Sequence, residues 1–222
     1  MDSERETVKL TCPICSHIHA APIVPVVDAG QDTGIWKSFR KGSLFRFDCP
    51  DCGNPMELSY SFLCQDSAIR QYIYLSREEP GERCTFQEIA KRAEKLSKGN
   101  TSDAVLRVVY TMDELNEKLR VFENGLDDRI VEVCKGFALS QFPAGEECYA
   151  QAVAYDVIGG QEVLKIPCSD GTEQYVPAFR ELYEQMYQEY AGLFPPLRGE
   201  RFLRVDLEYA AAVLRGEDGM PS

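Results

Sequence analysis

Long apolar runs are missing from this chain. No stretch approaches the roughly 18 to 20 residues needed to span a bilayer. The charged segment Met1–Lys9 has no apolar core of the kind found in a secretory signal. The sequence therefore reads as a cytoplasmic protein with no membrane role. Histidine is scarce as well, with two in 222 residues, which removes most histidine-based catalysis. The dinucleotide fingerprint G-x-G-x-x-G, the P-loop, H-E-x-x-H, G-x-S-x-G and the EF-hand loop are all absent. Without a catalytic constellation, the chain reads as a non-enzyme. Positive charge is also short: 24 Lys and Arg stand against 36 Asp and Glu, for a formal net charge of −12. There are 6 basic and 8 acidic residues before Phe62, and 18 and 28 from it onward. Such a surface repels nucleic acid and anionic membranes, so a nucleic-acid partner is disfavoured.

Cysteine, by contrast, is plentiful, and the total of nine is odd. Four fall in two C-P-x-C pairs, Cys12-Pro13-Ile14-Cys15 and Cys49-Pro50-Asp51-Cys52, separated by 33 residues. Cys64, Cys84, Cys134, Cys148 and Cys168 stand singly. In a reducing compartment, paired cysteines are metal ligands and single ones behave as small buried hydrophobes. A two-residue gap suits a tight turn that points both sulfurs at one ion. Proline fixes φ in that turn, and Gly53 supplies a residue free to take φ > 0 after the second pair. Two such knuckles make a closed tetrahedral site, so Cys12, Cys15, Cys49 and Cys52 are expected to hold one structural zinc ion. Thiol–disulfide enzymes place C-P-x-C at a helix N-terminus. Here Gly53-Asn54-Pro55 follows one pair, and Ser16 and then Pro22 follow the other; neither starts a helix. His17 and His19 lie just past the first pair. Either could replace a cysteine or hydrogen-bond to one, and otherwise they are turn residues at the surface. The knuckles also resemble those of rubredoxin, in which four cysteines hold iron for electron transfer.

Around the knuckles the pattern is that of strands. Thr7–Thr11 alternates, Ala21–Val27 is confined to an edge by Pro22 and Pro25, and Leu44–Asp48 feeds into Cys49. Asp28–Gly34 reads as a turn-rich loop. Met56–Leu63 and Ile69–Leu75 suggest a hairpin, Thr85–Ser97 a short helix, and Ala104–Tyr110 a central strand. Leu115, Leu119, Phe122, Leu126, Ile130, Val133 and Phe137 recur at helical steps, which predicts one long helix over Met112–Leu139. Further on, Tyr149–Ile158 and Glu162–Ile166 form a hairpin about Gly159-Gly160. Val176–Leu193 and Leu207–Arg215 read as helices, Phe202–Val205 as a short strand, and Glu217–Ser222 as a frayed tail.

The two C-P-x-C motifs, the strand I-R-Q-Y-I-Y-L and the helix L-R-V-F-E-N-G-L-D-D-R-I-V-E-V together resemble the bacterial CpXC domain. The resemblance runs from about Thr7 to Leu139. Its paired motifs fall on Cys12, Cys15, Cys49 and Cys52, and it implies a metal-binding module of unassigned biochemical role. Ser16 stands where the first motif often has glycine, which should loosen that turn. The fold expected is α+β: an antiparallel zinc-ribbon-like sheet, a long packing helix and a C-terminal α/β extension. Its domains would be 1–140 and 141–222. The function expected is a zinc-stabilised interaction module whose C-terminal part meets an unidentified protein partner. Two other features bear on this. Ile35–Phe47 carries Lys37, Arg40, Lys41 and Arg46 without an acid, interleaved with Trp36 and Phe39. That pattern suits either packing on the sheet or a grip on nucleic acid. Asp127 and Asp128 read as a solvated face with a salt bridge to Arg129.

Overall fold

Both cysteine pairs lie at the turns of short antiparallel ribbons. In the first, β1 (Glu6–Thr11) pairs with β2 (Ile18–Ile23), closing at Thr11 opposite Ile18. In the second, β4 (Arg46–Asp48) pairs with β5 (Pro55–Glu57), closing at Asp48 opposite Pro55. These features come from a computed structural model, which describes residues 6–81, 84–99, 101–142, 150 and 152–217. Cys148, Tyr149 and the tail after Glu217 lie outside the described residues.

The expected α+β class is correct, with antiparallel sheets and, among the described residues, six α-helices. The single antiparallel sheet is not. Beside the two ribbons stands a mixed four-stranded sheet of order β3-β6-β7-β8. It comprises β3 (Val26–Asp28), β6 (Phe62–Asp66), β7 (Gln71–Leu75) and β8 (Val105–Val109). The β6–β7 pair is an antiparallel hairpin as expected, but its first strand starts only at Phe62, since Met56 belongs to β5; β3–β6 and β7–β8 run parallel. Ala104–Tyr110 was expected in the centre of its sheet, yet β8 lies at the end of the ladder. Its five residues are nonetheless all buried, which explains why its apolar run looks central.

Two compact units emerge. The first holds residues 1–111 and 198–202, and the second residues 112–197 and 203–222. Packing divides the chain between Thr111 and Met112. In the first unit, α2 (Phe86–Leu96) starts with a capping box between Thr85 and Glu88 and buries Phe86, Ile89 and Ala93. These meet Leu63, Tyr72, Tyr74, Leu106 and Val108 of the sheet, with Phe202 in the same core. The segment expected as a turn-rich loop runs into α1 (Thr33–Arg40), whose N-terminus Asp32 caps by accepting from the Gly34 and Ile35 N–H groups. Phe39, Phe45, Tyr60 and Phe62 form an aromatic cluster with centroids 5.3–6.1 Å apart. That cluster holds α1 and the turn that precedes β4 on the sheet.

In the second unit, the predicted long helix is two: α3 (Met112–Glu123) and α4 (Asp128–Gln141). Gly125, at φ +68°, breaks the run, and Asp127 caps α4 through the Arg129 N–H. The apolar spacing continues across this break, which disguises it. A Cβ at Gly125 would meet nothing within 4 Å, so only backbone strain opposes Gly125→Ala. Urea unfolding should show a loss of about 1–2 kcal/mol; no loss would mean the turn relaxes freely. Farther along, β9 (Ala154–Ile158), β10 (Gln161–Pro167) and β11 (Glu173–Val176) make a three-stranded antiparallel sheet. Gly159 and Gly160, both at positive φ, turn β9 into β10 as expected. The helix expected over Val176–Leu193 starts later, as α5 (Phe179–Tyr190), because β11 still occupies Val176. Phe202–Val205 forms no regular strand, and α6 (Leu207–Leu214) follows it.

The second unit also buries charge. Lys118 Nζ lies 3.1 Å from Asp128 and 3.0 Å from Glu132; Lys135 Nζ lies 2.7 Å from Glu117 and 3.0 Å from Glu132. Burial alone would lower the Lys135 ammonium, but Glu132 and Glu117 outweigh it and hold its pKa above the ordinary value. Asp127 and Asp128 belong to this interior and form no solvated face. Asp128 is fully buried, while Asp127 makes the expected ion pair with Arg129.

Candidate metal centre

The two knuckles are six-residue loops of the same construction, C-P-I-C-S-H at 12–17 and C-P-D-C-G-N at 49–54. In each, the first cysteine's N–H donates to the sixth residue's carbonyl, Cys12 to His17 and Cys49 to Asn54, both at 2.9 Å. The fifth residue's N–H returns to the first cysteine's carbonyl, Ser16 to Cys12 at 2.9 Å and Gly53 to Cys49 at 2.8 Å. That fifth residue must adopt the left-handed conformation: φ is +61° at Ser16 and +71° at Gly53. Serine thus makes the same turn as glycine, with both hydrogen bonds intact. The loosening expected from the missing glycine does not occur.

These turns bring the four sulfurs together. Cys12 and Cys52 Sγ are 3.6 Å apart, as are Cys15 and Cys49, and all four lie within 4.8 Å of one another. A disulfide would need about 2.05 Å, and the eight described cysteines are free. A tetrahedron with metal–sulfur bonds of about 2.3 Å has edges of about 3.8 Å, so the sulfurs fit one ion. Cys12 and Cys49 are buried, and Cys52 is exposed at the rim. The thiols are also set unequally. The backbone N–H of Cys15, against opposing burial and with help from Ile14, lowers Cys12 to about 6. At Cys15 the His17 N–H favours the thiolate, but burial and the neighbouring sulfurs outweigh it and push the thiol up to about 12. Cys52 is raised in the same manner, its Asn54 N–H overcome by burial and the adjoining thiols. Four sulfurs at this spacing resist collecting four negative charges unless a cation lies between them.

The histidines differ from each other. His19 Nε2 lies 3.3 Å from Cys49 Sγ and 3.5 Å from Asp51 Oδ2, with its side chain largely covered. His17 is exposed, and its Nδ1 is 2.6 Å from the same Asp51 oxygen. Neither displaces a cysteine from the four-sulfur set. Asp51 escaped the sequence reading, although its place inside a C-P-x-C loop was a visible signal.

A family model described as CpXC protein matches residues 10–135, more than half of the chain. The chain belongs to the CpXC family. No curated protein and no solved structure matches it. The CpXC match begins in β1, takes in both knuckles and ends within α4, so it includes all four clustered cysteines and spans parts of both compact units.

The basic segment Ile35–Phe47 leads into the second knuckle, and its Phe47 packs on His19. Its Phe39 is buried, and Trp36 packs on it at 5.3 Å between centroids with Arg40 5.8 Å above the indole. Phe39 is therefore a core residue with no face left for a base. Lys37, Arg40, Lys41 and Arg46 lie at the surface. Among the described residues, no helix is long and apolar enough to cross a membrane.

Proposed function

We propose that this protein is a zinc-stabilised, non-enzymatic protein-interaction module of the cytoplasm, with Cys12, Cys15, Cys49 and Cys52 as the zinc ligands. The observation that carries the proposal is the closed set of four sulfurs at tetrahedral spacing, held by two matching knuckles. Zinc suits such a set because it takes four thiolates in a tetrahedron and brings no redox chemistry. The partner surface is assigned to the part of the chain beyond the knuckles. In support, Phe137, Tyr187, Leu193 and Leu214 of the second unit remain 40–57% exposed.

Metal analysis of the purified full chain tests the site. At least one equivalent of zinc in a colourless protein is expected; less than about half an equivalent of any metal would sink the proposal. A red protein that bleaches reversibly would instead establish the rubredoxin-like iron centre. Crosslinking in the native host tests the partner half. Phe137→Asp with Leu214→Asp should remove a stoichiometric protein partner while leaving the metal content unchanged. Finding no such partner with the parent chain would reject that half.

A further inference from the structure

The four sulfurs share two members with a second group of ligand atoms. One ligand atom from each of Cys15, Cys49, His19 and Asp51 also lies within 4.8 Å of the others. We propose that they bound a second cation position, so that the centre holds two metal ions bridged by the Cys15 and Cys49 thiolates. The inference rests on the four-cysteine reading above and extends it.

The spacing fits. With metal–nitrogen bonds of about 2.05 Å and metal–sulfur bonds of about 2.3 Å, a tetrahedral nitrogen–sulfur edge is about 3.6 Å and a nitrogen–oxygen edge about 3.3 Å. The observed His19–Cys49 and His19–Asp51 separations are 3.3 and 3.5 Å, and the shared sulfur–sulfur edge is 3.6 Å. Charge favours a second ion too. Four thiolates around one divalent cation leave a formal surplus of two negative charges, and Asp51 adds another beside them. A second divalent cation offsets most of that surplus at close range.

The surroundings prepare the ligands. The His19 ring packs against Phe47 at 6.1 Å between centroids, which limits its rotation. His17 Nδ1 holds the Asp51 carboxylate at 2.6 Å and so acts as a positioning residue. The two knuckles, alike in backbone, differ at their third residue. Ile14 occupies that place in the first loop and Asp51 in the second, so only the second can supply an oxygen. Asp51 is about half exposed and Cys49 is buried. The second position therefore opens to solvent, where an ion can enter and leave without unfolding the ribbons. A donor set of two sulfurs, one imidazole and one carboxylate selects zinc, cobalt or cadmium over magnesium or calcium.

Stepwise loading of the metal-free, reduced full chain with Co²⁺ tests the proposal. The first equivalent should produce cobalt–thiolate charge-transfer absorption and a high-spin electron paramagnetic resonance signal. The second should weaken that signal, because bridging thiolates couple the two ions antiferromagnetically. His19→Ala and Asp51→Asn should each saturate at one equivalent with the thiolate absorption retained. Saturation of the parent chain at one equivalent would overturn the two-metal centre and leave the four-cysteine site standing. A second equivalent that adds to the signal, or that persists in both variants, would place the extra ion elsewhere and overturn it as well. No binding at all would overturn both readings.

Discussion

Replacing Cys49 by serine should strip the chain of its metal and release both ribbons while the four-stranded sheet stays folded. The reason is the burial pattern. In β1, β4 and β5 no residue is fully buried, and in β2 only Ala21 and Ile23 are. Such ribbons have almost no core of their own, and an isolated two-stranded hairpin is marginal in water. A metal ion held by the four cysteines would supply the missing link. In isolated zinc-finger peptides, binding a structural zinc ion contributes about 10–16 kcal/mol. The central sheet depends on different contacts: β7 and β8 are buried along their whole length. Hydrogen exchange separates the two outcomes. Amides in β1 and β4 should lose about a thousandfold of protection, equivalent to about 4 kcal/mol, while those in β7 and β8 keep theirs. A strong chelator should reproduce the pattern in the parent protein. Unchanged exchange in β1 and β4 after metal loss would show that the ribbons stand without it.

Lys135→Met should destabilise the protein by about 3–5 kcal/mol, the usual penalty for breaking a buried ion pair from one side. Methionine keeps most of the volume, so little of the loss would come from a cavity. What changes is charge. Lys135 faces both Glu117 and Glu132, and Glu117 Oε1 also accepts the Tyr155 N–H at 2.6 Å. Without the ammonium, these buried carboxylates lose a cation and keep the cost of their burial. Urea unfolding at neutral pH measures it. A loss below about 1 kcal/mol would mean that the network contributes little through its charges.

Of these features, the knuckles were the most legible in the sequence. C-P-x-C states its own geometry, and the ribbon strands beside it alternate as half-exposed strands must. What escaped has physical causes. Asp32-Thr33-Gly34 is a helix start, but glycine at the second helical position and the basic, aromatic residues after it look like a loop. The α3–α4 break hides because Leu119, Phe122, Leu126 and Ile130 keep helical spacing through Asn124-Gly125; the Gly125 and Asp127 pair was the available signal. Lys118, Glu132 and Lys135 carry no sequence mark of burial, since a charged residue on a helix is ordinarily solvated and only packing puts these inside. His19 resembles His17 in sequence, and only the fold separates them, with His17 in the knuckle loop and His19 in β2 beside Cys49.

Phe202 is buried in the core shared with Tyr72, Phe86 and Leu106, although the chain enters the second unit at residue 112. This gives the molecule a history during its synthesis. The second knuckle leaves the ribosome about 150 residues before Phe202, an interval of about 8–30 s at about 5–20 residues per second. Metal can therefore be captured and both ribbons closed while the first core still waits for its last aromatic ring. The hydrophobic interior of the first unit is completed only once Phe202 has emerged, so a ribosome stalled after α4 would present the two ribbons with an unfinished core.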